Sequence, residues 1–315
     1  MNAPPSLVFG GVRRAVKQAL FSVGYYHQRL STLEFPGVAV LCYHGIRNAD
    51  QPRVPFNDLH VSADVFDAHC RFVSATCDPI SLDDLRAARN HGKALPPRPV
   101  IVTFDDGYCS VLDHALRSLE RYGIPAAVFI CSDPVFRSQH FWFDALCRRD
   151  GEEAVLHAQT LPYNEWCALR DVISIPFDER ETHRPLTAAE LIRLARSPLI
   201  EIGGHTVSHP ALAAASIDEQ CREISGCRSA LQQAIGKAVR SFAYPFGRFG
   251  AHYGAETVSV VRNAGFDMAF TTRPSFQTSG GDPFEIPRFL MLDAVDDVEL
   301  AHRLAHSWHT TEMAG

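Results

Sequence analysis

Seven short runs dominated by apolar and β-branched residues punctuate the chain, at 38–44, 99–106, 126–132, 199–204, 241–246, 268–272 and 286–291, and each reads as a strand. Stretches of helical periodicity lie between most of them. Their starts carry capping signals: Ser62, a T-A-A-E box at Thr187–Glu190 and an S-I-D-E box at Ser216–Glu219. Gly123, Gly236 and Gly265 each stand where a left-handed residue closes a helix, and Pro125 follows the first of them. Such alternation predicts an α/β fold with a parallel sheet, curled into a distorted (β/α)7-type barrel, with an open doubly wound sheet as the alternative.

Two regions depart from the alternation. Residues 133–198 are polar and mixed, with an aromatic triplet Phe141-Trp142-Phe143, and read as an insertion on one strand-to-helix connection. Residues 12–30 read as a basic amphipathic helix with Val12, Val16, Leu20 and Val23 near one face. The expected organisation is therefore an N-terminal helix within 1–35, a main domain over 36–292 carrying the 133–198 insertion, and a helix or tail over 293–315. His302, His306 and His309 in that tail are expected on the surface.

Composition narrows the class. With 46% hydrophobic and 21% charged residues among 315, the chain has ample material for a soluble core. A net charge of -6 without any block of like charges argues against a nucleic-acid partner. Nine cysteines without a C-x-x-C pair suggest reduced, buried thiols and a cytoplasmic placement rather than a disulfide framework or thiolate zinc site. No run approaches the ~18 apolar residues of a membrane span. Arg13, Arg14 and Lys17 also interrupt any secretory pattern, so no export signal is expected. The N-terminal helix would pack on the domain or rest peripherally on the inner face of a membrane.

In parallel barrels the reactive groups gather at the carboxyl ends of the strands. There the sequence places His44, the pair Asp105-Asp106, His205 with His209, and Pro245-Phe246-Gly247. Two successive carboxylates repel unless a cation or a division of labour stabilises them. His205 and His209, four residues apart, share a face on a helical turn, and with one carboxylate they make a three-ligand set for a divalent metal. The other carboxylate is then free to take a proton from metal-bound water attacking a carbonyl carbon. Zinc suits these donors, and cobalt, nickel, iron or manganese could replace it.

T-F-D-D-G-Y at 103–108, H-T-V-S-H-P at 205–210 and A-Y-P-F-G at 243–247 resemble the first three motifs of the polysaccharide deacetylase family, also called the NodB homology domain or carbohydrate esterase family 4. The resemblance spans 38 to about 291. It implies a metal-dependent hydrolase removing N-acetyl groups from amino sugars of a glycan or lipid-linked precursor. Asp105 matches the base, and Asp106, His205 and His209 match the metal ligands. Phe246 would offer its amide to the oxyanion, with Tyr244 lining the site and Tyr108 or Trp142 available as a sugar platform. Phe141 and Phe143 are expected in the core.

Two departures from the family pattern stand out. Where many members carry an arginine that pairs with the base, this chain has Ala243; Arg288 is the expected substitute, while Arg240 falls on the wrong face. The late L-x-I-x-x-H motif is also missing, and His44, in a Tyr-His context like that of the exopolysaccharide deacetylase subgroup, is expected to protonate the leaving amine. The same machinery would serve an O-acetyl ester or an N-formyl group. A catalytically silent glycan-binding protein is the reading of a different class. Cys42 and Cys109 flank the site without an assigned role.

Overall fold

Strand pairing sets the architecture in the computed structural model, which describes residues 5–48, 55–178 and 181–306. The strands are β1 Ala39–Tyr43, β2 Ile46–Arg47, β3 Val61–Ser62, β4 Asp78–Pro79, β5 Pro99–Phe104, β6 Ala126–Ile130, β7 Ile200–Gly204, β8 Ser241–Ala243, β9 Met268–Phe270 and β10 Phe289–Leu290. The main sheet runs β10-β1-β5-β6-β7-β8-β9, with β4 on the outer start of β5, and its pairings are parallel. Ile286 bridges Phe270 of β9, and three residues later Phe289 pairs with Leu41 of β1. One segment thus joins both sheet edges and closes the barrel. Arg288 sits between its two contacts.

Each of the seven predicted runs contains a strand; six end earlier than predicted because their carboxyl ends turn into the rim loops, and β7 ends at Gly204 as read. Alternation along the strands sorts the side chains. Val40, Ile101, Ala127, Phe129, Ala243 and Phe270 fill the barrel interior, whereas Leu41, Val102, Phe104, Val128, Phe242 and Tyr244 meet the surrounding helices. The capping signals act as read: Ser62 accepts from the Val65 amide, and the Thr187 and Ser216 boxes close reciprocally.

The N-terminal expectation needs correction. Gly24 adopts a left-handed conformation (φ 76°) and splits the segment into helices Pro5–Ser22 and Tyr25–Thr32. The first packs on helix Asp297–His306 through the pairs Arg14–Asp296 and Lys17–Glu299. His302 is half-buried there, bonded to Tyr26 Oη, and so is not the surface residue expected; His309 lies outside the described residues. No helix among the described residues is long and apolar enough to cross a membrane.

Between β6 and β7 run five helices, Ser132–Arg137, Trp142–Asp150, Glu152–Ala158, Tyr163–Ile173 and Ala188–Leu194. Phe141, Trp142, Leu146, Val155 and Trp166 give this part a small apolar core of its own beside the rim. All nine cysteines are free.

Candidate active site

At the end of β5, strict alternation would send Asp105 to the barrel axis and Asp106 outward to the helices. The backbone breaks the rule. Asp106 takes φ 71° and Gly107 φ 97°, which turns the second carboxylate back over the rim. The left-handed φ of Gly107 is what favours glycine there, while a Cβ would only displace the tip of Ile130, whose Cδ1 it would approach to 2.8 Å. Asp106, Thr206, His209 and Phe246 all adopt left-handed φ although none is glycine. Such strain, costing about 1–3 kcal/mol per residue, clusters where geometry serves a site.

The expected helical turn at 205–209 is absent. These residues form a loop after β7, in which left-handed Thr206 and His209 bring the two imidazoles together instead. Nε2 of His205 and Nε2 of His209 each stand 3.4 Å from Oδ1 of Asp106. His205 Nδ1 donates to the Ala243 carbonyl at 2.7 Å, which fixes the ring's orientation and leaves Nε2 as the nitrogen that faces Asp106. His209 is packed between the rings of Phe143 and Phe246, with centroids 4.9 and 4.6 Å away, and Trp142 Nε1 donates to its carbonyl. All three side chains are buried, and their ligand atoms lie within 4.8 Å of one another. Two imidazoles and a carboxylate aimed at one point fit a divalent cation.

Electrostatics agree with that geometry. Burial opposes ionisation of Asp106, yet the His205 hydrogen bond and the His209 field hold its carboxyl below the usual range. Burial also works against the charged form of His205, but Asp106 and Asp105 raise it overall. His209, buried and next to His205, is pushed down to about 3 and stays neutral.

Asp105 is held differently. Arg288, fully buried, grips both its oxygens at 2.7 Å, donates from Nε to the Thr271 carbonyl, and reaches Thr103 Oγ1 at 3.2 Å. Burial would raise the Asp105 pKa, but the Arg288 charge and hydrogen bonds outweigh it and hold the carboxyl well below the usual range. Arg240 is engaged outside the barrel with Asp267.

The rim encloses a pocket of about 380 Å³ that His44, Asp105, Asp106, His205, His209 and Phe246 line together. His44 is half-buried, with its Nδ1 unpaired among the described residues. The Phe246 amide also has no acceptor among them. Tyr108 lines the pocket with its hydroxyl given to Asp144. Tyr244 does not reach it: following inward Ala243, it points to the helices, donates to the Phe284 carbonyl and stacks on Tyr253. Trp142, buried and bonded to His209, serves as a prop rather than a platform. Cys42 stands beside Asp105, Sγ to Oδ2 3.5 Å, and burial pushes its thiol up, which leaves no thiolate nucleophile.

Two supports were not read from the sequence. Glu223, buried on helix Ile217–Ile235, takes the amide and hydroxyl of Ser208 and pins the loop between the two histidines. Its signal was present: Gln220, Glu223, Ile224, Cys227 and Leu231 form one buried stripe, and an acid in such a stripe needs a partner. Asp144, fully buried, holds Tyr108 and stands 3.0 Å from His183 Nε2.

Comparison with known proteins adds the ancestry of this arrangement. A family model described as polysaccharide deacetylase matches residues 92–269, more than half of the chain. YxkH of Bacillus subtilis (strain 168) is 20% identical over 236 residues, covering 75% of this chain and 64% of that protein, so the chain spans less than two thirds of that relative's length. Among solved structures, IcaB from Ammonifex degensii superposes with a TM-score of 0.64 at 19% identity, over 87% of this chain and 99% of that one. The Streptococcus pyogenes deacetylase PplD, in complex with acetate, gives 0.62 at 17% identity, over 85% and 98%. At these identities the structural likeness speaks for the fold.

Proposed function

Because this chain belongs to the polysaccharide deacetylase family, we propose that it is a metal-dependent hydrolase that removes the N-acetyl group from an amino sugar of a glycan or lipid-linked glycan precursor. The observation that carries the reading is the convergence of His205 and His209 Nε2 on Asp106 Oδ1, one residue from a carboxylate kept ionised by a buried arginine. A divalent cation bound there, with zinc the first choice, would polarise the acyl carbonyl and make a nearby water more acidic.

The chain's own groups supply the remaining roles. Asp105 takes the proton of the attacking water as its oxygen bonds to the acyl carbon. The Phe246 amide donates to the oxygen that gathers negative charge. His44, on the same pocket wall, hands a proton to the sugar nitrogen as the C–N bond breaks, and acetate and the free amine leave. Arg288 orients Asp105 throughout without touching the substrate. Cytoplasmic placement belongs to the same reading and is supported by the free thiols. A peripheral membrane contact by the N-terminal helix would compete with the pairs Arg14–Asp296 and Lys17–Glu299.

The test is acetate release from N-acetylglucosamine oligomers and from a lipid-linked N-acetylamino sugar, using zinc-loaded, chelated and Asp105→Asn protein. Release that needs the metal and is lost in the variant is the expected result. A zinc-loaded protein that releases no acetate from either substrate would overturn it.

A further inference from the structure

Beside the catalytic rim, one part of the pocket wall is hydrocarbon, Phe56 and Leu59 from the segment after β2, Val155 and Leu156 from helix Glu152–Ala158, and Leu290 from β10, while His60, Gln159, Arg248, His252 and Thr272 supply polar groups to the rest of the lining. None belongs to the motifs that hold the Asp and His residues. Three segments far apart in sequence therefore contribute carbon to the same surface. Leu156 stands at the lip with 60% of its surface exposed, while its neighbour Val155 is buried in the small core of the segment between β6 and β7. Phe56 adopts left-handed φ (50°), so its ring is presented to the pocket by a strained backbone.

The polar groups of the lining can meet the hydroxyls of the sugar held at the rim, whereas further sugar residues laid on Phe56, Leu59 and Leu156 would lose water there without gaining a partner from those side chains. An aliphatic chain gains from the same surface. Resting on the deacetylase reading, we propose that the substrate is an amphiphile: one N-acylated amino sugar at the Asp105–Asp106 rim, joined to an aliphatic aglycone that lies over Phe56, Leu59 and Leu156. The polar part of the substrate ends within the pocket. The pocket selects a lipid-linked amino sugar over the interior of a long polysaccharide.

The experiment measures binding and turnover separately. Methyl, butyl and octyl β-glycosides of N-acetylglucosamine and chitotetraose, below micellar concentrations, are titrated calorimetrically into the full-length zinc-loaded protein, and acetate release is followed in parallel. Expected is a Kd that tightens with chain length, up to roughly fourfold per methylene brought onto the wall. Chitotetraose should bind no better than the methyl glycoside. Leu156→Asp should flatten the dependence, whereas Val172→Asp, at an exposed valine outside the pocket, should leave the slope intact. Equal Kd values for methyl and octyl glycosides, or tighter binding with each added sugar, would overturn the proposal. Chain-length-dependent binding without acetate from any compound would support this surface and sink the deacetylase reading.

Discussion

Arg288 holds both oxygens of Asp105 at 2.7 Å from a segment that also closes the barrel, so this carboxylate is oriented by the last structural step of the fold rather than by its neighbours in sequence. Removing the guanidinium leaves a buried carboxylate unpaired, a loss on the order of 3–5 kcal/mol. Arg288→Ala is therefore expected to be poorly folded, and Arg288→Lys is the informative variant. It keeps one charge, loses the two-point grip, and should lower kcat/KM by about 10²-fold through misorientation. Its acid limb should also move to higher pH, because Asp105 loses the interaction that holds its pKa down. A pH profile identical to that of the parent protein would refute the assignment.

How much of this was legible follows from the kind of signal each residue leaves. Seven strands of the main sheet, the capping boxes and the strand-end residues are legible because apolar runs and turn chemistry are local, whereas the two-residue strands β2, β3 and β4 are too short to leave a pattern. Arg288 was readable only by exclusion, since Ala243 left its expected partner position empty. Tyr244 was misplaced because proximity in sequence to the rim says nothing of strand alternation, which sends it to the helices. The histidine pair was correctly grouped for an incorrect reason: a strained loop with left-handed Thr206 and His209, not a helical turn, joins them. Leu156 and Phe56 left no signal, because nothing local announces which loop and helix will fold over a rim.

His44 lines the pocket beside both carboxylates, and its assigned task is to protonate a poor leaving group. Replacement by Gln should therefore cost about 10²–10⁴-fold on an N-acetyl substrate. The same variant should retain most of its rate on an aryl acetate, whose leaving group departs without a proton. Comparing the two substrates decides between acid catalysis and a structural role, since a distorted site would slow both.

Glu223 holds the loop that carries His205 and His209 with its side chain through Ser208, whose amide and hydroxyl it accepts, and with its backbone carbonyl through the Val207 amide. Glu223→Ala should weaken zinc binding about 10- to 100-fold, as for other outer-shell supports, while leaving Asp106, His205 and His209 in place. Competition with a chromogenic chelator gives the affinity directly. Unchanged affinity would reduce Glu223 to a packing residue. Excess zinc should restore most of the acetate release, which a collapsed active site would not allow.

His69 supplies a prediction about stability rather than catalysis. It is buried on helix Ala63–Thr76 with Nδ1 3.0 Å from Tyr43 Oη, and burial lowers its pKa to about 4. In the unfolded chain it would titrate near 6.5, so between those values the unfolded state binds a proton that the folded state refuses. Its contribution is fully present above pH ~6.5 and is lost as pH falls toward 4, with a slope approaching 1.4 kcal/mol per pH unit from this one group. Denaturant unfolding at pH 7, 6, 5 and 4 should show that fall in the parent protein. His69→Gln, which keeps a hydrogen-bonding side chain beside Tyr43, should reduce the slope by about one proton even though it shifts the absolute stability. Identical slopes in the two proteins would mean that His69 is protonated in the folded state, and would place the acid sensitivity elsewhere.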